Sequence, residues 1–379
     1  MVTSFEFATA TRIVFGPGTV RQVGAAASAL GRRPLLVTGG SAGRVSALGL
    51  DGERLSITGE PTIPAIRDAV AAAREAGCDV VVAAGGGSVI DAGKAIAALV
   101  PNPEDVLAYL EVIGEGQPLT HPPLPFIAVP TTAGTGAEVT RNAVLGAPEQ
   151  GVKVSLRSPL MLPRLAVIDP ELTLTVPPAV TAATGLDALT QLIEPWVSPR
   201  ANPLTDAFCL DGIRRVAVAL PRAFHHPGDL SARTDMALAA LYGGLALANA
   251  GLGAVHGFAS PVGGQFDAPH GAVCAALLPH VIRANVAALR SRDSGCESLR
   301  RYGVLTDILG EDPAAFSLRL SVDLGISPLS EYGITPAHVP GLCRKAMDAS
   351  SMKANPIRLT QEELEAILTA ALGPGRQPS

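Results

Sequence analysis

Several features that would place this chain outside the cytoplasm are missing from its sequence. None of its apolar stretches reaches the roughly 18 uninterrupted residues that a membrane helix requires. The first residues lack the basic head and apolar centre of a secretory signal, and five cysteines scattered without a CxxC pair are typical of reduced thiols. We therefore expect a cytoplasmic protein with no membrane segment.

Basic clusters and two common catalytic or nucleotide-binding motifs are also missing. The 379 residues carry a net charge of -5 with no run of lysine and arginine, which argues against a nucleic-acid partner and favours a small molecule. Neither a GxSxG nucleophile elbow nor a GxxxxGK[ST] phosphate loop occurs. The sequence therefore offers no sign of a serine hydrolase with a nucleophile elbow or of a nucleoside triphosphatase with a phosphate loop.

The apolar content is sufficient for two domains, because 379 residues exceed what one core usually organises and 47% of them are hydrophobic. Up to residue 177, short β-branched runs alternate with Ala-rich helical stretches, which predicts a parallel sheet covered on both faces. Beyond that point only helical patterns follow, and the last begins with a capping box of Thr360 and Glu363. We predict an α/β domain over 1–177 and an all-helical domain over 178–379.

The individual elements of the first domain follow from the same alternation. Strands are predicted at 33–40, 79–87, 124–132 and 164–172, and helices at 64–77 and 88–99. The strand patterns end at Pro177 and Pro178, which set the predicted domain boundary.

Two glycine-rich segments follow predicted strands and are candidates for holding phosphate. An apolar strand runs into Gly85, Gly86, Gly87 and Ser88, where a helix begins at once. Glycines let the backbone approach a phosphate, and a helix N-terminus offers unpaired N–H groups, although a glycine run after a strand can also be an ordinary turn. The segment PTTAGTGAEVT (130–140) follows the next strand. Two such loops at neighbouring strand ends favour a dinucleotide.

Four residues of the helical half are candidates for a metal site. Asp187 has Gln191 four residues later on the same helix face, and His256 and His270 bracket a segment whose prolines and glycines force a bend between two helices. One carboxylate and two imidazoles suit zinc or ferrous iron with a position left open for substrate. The alternative, which the spacing alone favours, is a capping aspartate and two histidines bonded to backbone carbonyls.

Taken together, these segments resemble the iron-containing alcohol dehydrogenase family over nearly the whole chain. The matching segments are FGPG (15–18), GGGSVIDAGKA (85–95), PTTAGTGAEVT (130–140), KVSLRSPLMLPRLAVIDPELTLTVPP (153–178), GLDALTQLIEP (185–195), HGFASPVGGQFDAPHG (256–271) and NPIRLTQEEL (355–364). The resemblance implies a Rossmann-like dinucleotide-binding domain followed by an all-α domain, an architecture shared with dehydroquinate synthases. It also implies hydride transfer between NAD or NADP and a small alcohol or aldehyde held at a divalent metal, with both sites facing a cleft between the domains.

The resemblance assigns roles to particular residues. It places the pyrophosphate on the glycine loop and the nicotinamide end near the second loop, and the cofactor residues that it implies are Gly85, Gly86, Gly87, Ser88, Asp91, Thr131, Thr132, Thr135 and Lys153. It makes Asp187, His256 and His270 both metal ligands and catalytic residues. Self-association through N-terminal segments is common in the family, so a homodimer is implied as well.

The metal set departs from the family pattern at one position. The usual ligands are an Asp and three His, and the first of those histidines is here Gln191. Glutamine is a weak, neutral oxygen ligand, but related glycerol dehydrogenases hold zinc with only an Asp and two His. A site with Asp187, His256 and His270 therefore stays open for zinc as well as for iron.

Two further departures concern the proton and the nucleotide. Ser260 stands where many members have a histidine that helps to move the proton, so proton release would pass through Ser260, water or a cofactor ribose hydroxyl. Gly39 stands where NAD-specific members tend to have an aspartate that repels a 2′-phosphate. NADP then becomes acceptable beside NAD, with Ser41 or Arg44 as contacts for its phosphate.

Other functions remain open from the sequence. The segment FDAPH (266–270) also resembles maleylacetate reductases, a metal-independent branch to which Gln191 points, whereas Asp187 and PHGAVCAALLPHV (269–281) point to the metal-using enzymes. A non-redox lyase like the dehydroquinate synthases and a catalytically inactive binding protein are further alternatives. Candidates for lining a substrate pocket are Thr140, Asn142, Phe258 and Gln265.

Overall fold

The computed structural model describes residues 4–40 and 48–373, so Ser41 and Arg44 lie outside the described residues. The chain divides into two compact units. One contains Phe7–Val176 together with Gly228–Ala237, and the other contains residues 4–6, Pro177–Pro227 and the chain from Leu238 onward. The sequence boundary at residue 177 assigns Gly228–Ala237 to the helical half, whereas in the structure this segment packs with the α/β unit.

The α/β unit is built on a parallel sheet. Its strands in the described chain are β1 (Ile13–Phe15), β2 (Pro34–Thr38), β3 (Glu53–Ser56), β4 (Val80–Gly85), β5 (Phe126–Pro130), β6 (Asn142–Ala147), β7 (Val152–Arg157) and β8 (Leu165–Ile168). Six of them form one sheet in the order β1-β8-β5-β4-β2-β3, while β6 and β7 form an antiparallel hairpin. The four predicted strands are confirmed as β2, β4, β5 and β8. The structure adds β1, β3 and the hairpin, which the alternation did not predict.

Thirteen α-helices lie within the described residues. They are α1 (Val23–Leu30), α2 (Ile63–Glu75), α3 (Gly87–Leu99), α4 (Val106–Tyr109), α5 (Pro178–Val197), α6 (Pro203–His225), α7 (Leu230–Ala250), α8 (Ala254–Gln265), α9 (His270–Arg292), α10 (Glu297–Leu309), α11 (Pro313–Asp323), α12 (Val339–Asp348) and α13 (Gln361–Ala371). The predicted helices at 64–77 and 88–99 are α2 and α3, and the predicted capping box begins α13.

Both faces of the sheet are buried, as a parallel sheet requires. Successive residues of β4 point to opposite sides, so Val81 and Ala83 join the core that contains α2 and α3, while Val82 and Ala84 join the core beneath α1. All six residues of β4 are buried, which explains why this strand is a continuous apolar run in the sequence. The parallel sheet in one unit and the helices of the other confirm the predicted fold class.

The helical unit is centred on α5 and α9. Fifteen residues of α5 are buried, and the helix packs against α6 and α9, while α9 also packs against α8, α11 and α13. By length and composition α9 could cross a membrane, and α7 and α8 would pass the same test only as a pair bent by 100°. However, 67% of the most apolar window of α9 is buried inside the protein, which is typical of a core helix.

Candidate functional site

The two glycine-rich loops lie side by side at the carboxyl edge of the sheet. Gly85 ends β4 and is paired in register with Pro130, the last residue of β5. The N–H of Thr131 donates to the carbonyl of Gly85 at 2.9 Å, so the segments that follow both strands start from neighbouring positions. Gly39 follows β2, which is the strand on the other side of β4. The predicted convergence of these loops is therefore present in the structure.

The first turn of α3 fits the phosphate role. Its N-cap is Gly86, and no side chain within the described ranges caps this turn. A Cβ on Gly87 would lie 2.7 Å from Cγ2 of Thr135, so the close approach of the two loops requires a glycine there. A Cβ on Gly86 would make ordinary van der Waals contact with Thr132, at 3.6 Å from its Oγ1, so this position has room for a small side chain. An uncapped helix N-terminus can hold a pyrophosphate through its unpaired N–H groups, and Ser88 follows in the same turn.

Asp91 and Lys94 lie behind this loop and anchor the β6–β7 hairpin to α3. Oδ2 of Asp91 accepts from the N–H of Val144 at 3.0 Å, and Oδ1 lies 3.4 Å from Nζ of Lys94. The fully buried Lys94 also donates to Oγ1 of Thr140 at 2.8 Å and to the carbonyl of Asn142 at 2.5 Å. Burial raises the pKa of Asp91 and lowers that of Lys94, against the attraction between the two groups. In this arrangement Asp91 positions the hairpin, and the sequence analysis gave Lys94 no role.

The remaining cofactor candidates and the candidates for lining a substrate pocket differ in burial and in their contacts. Thr131 is buried, whereas Thr132 and Thr135 are half-buried. Lys153 lies on β7, with Nζ 3.2 Å from Oε1 of Glu60. Of the candidates for lining a substrate pocket, Phe258 is 0% exposed and Thr140 is buried with its hydroxyl on Lys94.

The structure brings Asp187, His256 and His270 together and adds Cys274. Asp187 lies within α5, His256 on α8, and His270 is the first residue of α9 with Cys274 one turn later. Oδ1 of Asp187 is 3.3 Å from Nε2 of His256 and 3.7 Å from Nε2 of His270. One donor atom from each of the four residues lies within 4.8 Å of the others. We call these four residues the metal cluster.

A divalent metal fits the electrostatics of this cluster. Oδ1 of the buried Asp187 has no hydrogen-bond partner among the described residues. Burial alone would raise the pKa of Asp187, but the imidazoles of His270 and His256 and the amide of Gln191 lower it. Burial likewise disfavours both imidazolium ions. Interactions with Cys274, Glu194 and Asp187 nevertheless raise the pKa of His256 well above 6.5, and interactions with Cys274 and Asp187 raise that of His270 to about 9. An incoming metal would therefore displace protons from the imidazoles.

Two buried side chains, those of Glu194 and Gln191, make hydrogen bonds that orient members of the metal cluster. Oε2 of Glu194 lies 2.6 Å from Nδ1 of His256, and its Oε1 accepts from the N–H of Val255 at 2.7 Å. A carboxylate only accepts, so Nδ1 carries a proton, and Nε2 can bind a metal once the imidazolium has lost its other proton. Nε2 of Gln191 donates to Oδ2 of Asp187 at 3.0 Å, while its Oε1 is buried without a partner in the described chain.

The sequence analysis missed Glu194 and Cys274 in this site. Signals for both were present, because Glu194 lies two helical turns after Asp187 on α5, and Cys274 lies one turn after His270 on α9. Ser260, the candidate for moving the proton, lies one turn after His256 on α8 and is half-buried.

The fold and the site define a class of protein, namely one with a doubly covered parallel sheet of the nucleotide-binding type and a helical unit that contains a metal-type cluster. Family models make the class specific: "Iron-containing alcohol dehydrogenase" matches residues 10–170, and "Fe-containing alcohol dehydrogenase family, C-terminal" matches residues 181–372. The chain belongs to the iron-containing alcohol dehydrogenase family.

Individual relatives agree with this assignment. The probable alcohol dehydrogenase EutG of Escherichia coli (strain K12) is 36% identical over 369 residues, which cover 94% of this chain and 92% of that protein. The structure of an alcohol dehydrogenase from Oenococcus oeni superposes with a TM-score of 0.87 at 31% identity, covering 97% of this chain and 100% of the other. A sulfoacetaldehyde reductase from Bifidobacterium kashiwanohense, solved in complex with NAD+, has a TM-score of 0.84 at 28% identity and covers 98% and 99% of the two chains.

These similarities decide among the functions that the sequence left open. The chain is an oxidoreductase of the alcohol dehydrogenase type that acts on CH–OH groups with NAD or NADP. This interpretation is supported better than a maleylacetate reductase, a dehydroquinate synthase-like lyase or an inactive binding protein.

Proposed function

We propose that this enzyme interconverts a small alcohol and its aldehyde at a divalent metal, iron or zinc, held by Asp187, His256 and His270. The observation that supports the proposal best is the position of the buried Asp187 Oδ1, which makes no hydrogen bond in the described chain and lies 3.3 and 3.7 Å from the two imidazole Nε2 atoms. A buried carboxylate oxygen is costly unless a cation or a hydrogen-bond donor satisfies it. Gln191 remains a further candidate ligand through its unpartnered Oε1.

Each part of the chain would contribute a distinct task to the reaction. A bound divalent metal supplies Lewis acidity toward the substrate oxygen, and the nicotinamide supplies or accepts the hydride. Asp187 would bring negative charge to the site, and Glu194 would hold the proton of the neutral His256 ring on Nδ1, so that Nε2 is the nitrogen that binds the metal. Oγ of Ser260 would take up or return the hydroxyl proton, with water or the cofactor's ribose hydroxyl as the alternative carrier.

The cofactor would lie on the α/β unit. Gly86, Gly87 and Ser88 are proposed to hold the pyrophosphate, because they form a helix N-terminus that no described side chain caps. The proposed nicotinamide contacts are Thr131, Thr132, Thr135 and Lys153. Gly85 would shape the turn, since its Cβ would lie 2.6 Å from Val89 atoms. Asp91 would act by holding the hairpin in place.

Acceptance of NADP beside NAD is proposed from Gly39, which lacks the charge that would repel a 2′-phosphate. A Cβ at this position would lie 3.4 Å from Cγ2 of Val89, so a side chain can be introduced with little displacement. Steady-state kinetics of Gly39→Asp with both cofactors test the proposal. The variant should raise the KM for NADPH and leave the KM for NADH little changed, and an unchanged preference would contradict it.

Metal dependence is tested by exhaustive chelation followed by addition of Zn²⁺ or Fe²⁺, with oxidation of NADH and NADPH followed against a panel of small aldehydes. Activity should vanish on chelation and return with metal, and Asp187→Asn should need far more metal for the same activity. The exposed Asp307 provides the matched control, because Asp307→Asn should behave as the wild type. Full activity in metal-free protein would instead support the metal-independent reductase branch.

The enzyme is further proposed to be a cytoplasmic homodimer. All five cysteines are unpaired, which suits a reducing compartment. The short strand β1 lies at one edge of the sheet, and an edge strand is a ready template for pairing with a second copy. Light scattering after size-exclusion chromatography should give twice the chain mass, and a monomer at micromolar concentration would contradict the dimer.

A further inference from the structure

We propose that Cys274 is the fourth protein ligand of this metal, as a thiolate, and that the site consequently prefers zinc to ferrous iron. The inference rests on the proposed function to the extent that a divalent metal occupies the cluster. It adds a ligand of different chemistry, because a carboxylate, two imidazoles and a thiolate form a set that the sequence motifs do not predict.

The distances between the donor atoms carry the proposal. Sγ of Cys274 lies 3.9 Å from Nε2 of His256 and 3.7 Å from Nε2 of His270, and Oδ1 of Asp187 completes the group at 3.3 and 3.7 Å from the same two atoms. Tetrahedral zinc with ordinary bond lengths of about 2.0 to 2.3 Å separates its ligand atoms by roughly 3.3 to 3.6 Å. These four distances are close to those between the ligands of one zinc ion, and one donor atom from each residue lies within 4.8 Å of the others.

The helices present these four atoms to a common point. His270 and Cys274 are four residues apart on α9 and share a face, while α5 and α8, which carry Asp187 and His256, both pack against α9. Cys274 is 0% exposed, so its sulfur faces the cluster and not the solvent. Buried cysteines are common as small apolar residues, but this one lies among three polar donor atoms.

The second observation is the environment of the Asp187 carboxylate. Asp187 is 1% exposed, and its Oδ1, which is aimed at the two imidazoles, has no hydrogen-bond partner in the described chain. Its other oxygen is satisfied by Gln191, and the far side of the His256 ring is held by Glu194. Outer contacts of this kind fix the orientation of metal ligands.

Gln191 is the alternative candidate for the fourth metal ligand. Its Nε2 is committed to Oδ2 of Asp187, but its Oε1 has no partner among the described residues. We favour Cys274 because a thiolate adds a second negative charge that balances a divalent ion together with Asp187, whereas an amide oxygen adds none. Soft thiolates also select zinc over harder ions, and zinc lies above ferrous iron in the general order of affinity.

The experiment uses the full-length protein after removal of metal, loaded with one equivalent of Co²⁺ under anaerobic conditions. Cobalt bound to a thiolate shows an intense ligand-to-metal charge-transfer band in the near ultraviolet, which cobalt bound only to oxygen and nitrogen does not. The variants are Cys274→Ser, Gln191→Leu and the control Cys209→Ser, which replaces an equally buried cysteine outside the cluster. The wild type, Gln191→Leu and Cys209→Ser should show the band, and Cys274→Ser should not.

Zinc affinity provides the quantitative outcome. Loss of an outer partner typically weakens metal binding by about 10- to 100-fold, so loss of a direct ligand in Cys274→Ser should raise the Kd by more than about 100-fold. Gln191→Leu should raise the Kd by no more than an outer partner does. A wild-type cobalt spectrum without the band, or an unchanged Kd in Cys274→Ser, would overturn the proposal and leave Gln191 as the fourth ligand.

A measurement on the wild type alone tests the proposal even if a variant does not fold. X-ray absorption at the zinc edge should fit one sulfur at about 2.3 Å with the remaining neighbours nitrogen or oxygen. A shell without sulfur rejects Cys274 even if the enzyme is active with zinc. Conversely, a zinc–sulfur shell in a protein that transfers no hydride would support Cys274 as a ligand and reject the proposed alcohol chemistry.

Discussion

At the scale of single residues, Glu194 controls which nitrogen of His256 is available. Its carboxylate lies 2.6 Å from Nδ1, so the proton stays on that nitrogen and Nε2 faces the metal cluster. A carboxamide of the same shape could instead donate a hydrogen to Nδ1, which would move the imidazole proton to Nε2 and block it as a ligand. Glu194 is thus a positioning residue whose effect passes through His256.

Glu194→Gln should therefore weaken zinc binding by about 10- to 100-fold while the Kd for NADPH stays within twofold of the wild type. Isothermal titration of the metal-free protein with zinc, and a separate titration with NADPH, measure the two effects. Glu138→Gln, the same change at the second buried glutamate in the described ranges, is the control and should leave zinc affinity unaltered. Equal losses of zinc and NADPH binding would indicate a general structural defect instead.

The sequence predicted part of this site and could not predict the rest. Asp187, His256 and His270 were candidates from their residue types, and the resemblance to the iron-containing alcohol dehydrogenase family gave them their role as a ligand set. Cys274 was not found, because a cysteine among alanines and leucines is typical of an ordinary core position. Only the packing of α5 and α8 against α9 shows that its sulfur lies beside two imidazoles.

At the scale of elements, the turn between β4 and α3 is a place where a substitution should weaken cofactor binding and leave the stability of the fold almost unchanged. Gly86 has φ -73° and ψ -176°, which any residue can adopt, and its Cβ would be 3.6 Å from the nearest atom. An alanine at this position would fit the cofactor-free protein but would occupy the space in front of the helix N-terminus.

Gly86→Ala should change the free energy of unfolding by less than about 1 kcal/mol, because the cost of alanine at an N-cap and the gain from a stiffer unfolded chain oppose each other. The Kd for NADPH should rise about tenfold or more, since a methyl group would stand at the proposed pyrophosphate site. Urea denaturation and fluorescence titration measure the two quantities. Gly303→Ala, at a helical glycine with open space around it, should leave the Kd unchanged, and a variant Gly86→Ala with wild-type affinity would argue against this phosphate site.

The end of the second loop buries a carboxyl group, which makes the stability of the α/β unit depend on pH. Burial raises the pKa of Glu138 to about 7, against the opposing charge of Lys94. Because the folded-state pKa lies above the unfolded value of 4.5, the protonated carboxyl stabilises the fold below about pH 4.5. This contribution is lost as the pH rises through about 7.

Glu138→Gln should therefore gain stability relative to the wild type as the pH rises from 5 to 8, by up to about 3 kcal/mol. The measurement is the free energy of unfolding in urea at several pH values for both proteins, in cofactor-free form. Parallel pH profiles for the two proteins would show that Glu138 is ionised in the fold throughout this range.

The β6–β7 hairpin shows why some elements could not be predicted from the local sequence. In β6 the positions Ala143, Leu145 and Ala147 are buried and their neighbours are half-buried, so a short alternation was present in the sequence. It was hidden because small residues such as Gly146 weaken the strand signal. The hairpin is held by contacts distant in sequence, including the bond from Val144 to Asp91, and no local pattern encodes those contacts.

At the scale of the whole molecule, the presence of one α/β unit and one helical unit was predictable because it follows from the pattern of apolar residues along the chain. Continuous apolar strands such as β4 require helices on both sides, and the absence of strand patterns after Pro177 leaves an all-helical unit. The segment Gly228–Ala237 was assigned by chain order to the helical half but packs with the other unit, and chain order cannot show such a return.

The central claim is that this chain moves a hydride between a nicotinamide and the carbinol carbon of a small alcohol. The most direct measurement incubates the zinc-loaded enzyme with a small aldehyde and with NADPH or NADH deuterated at C4, each stereoisomer in turn, and analyses the alcohol by mass spectrometry. We predict that one stereoisomer of the cofactor delivers a single deuterium to the carbinol carbon. Alcohol formed without deuterium from either stereoisomer, or no alcohol from any aldehyde tested, would contradict the claim.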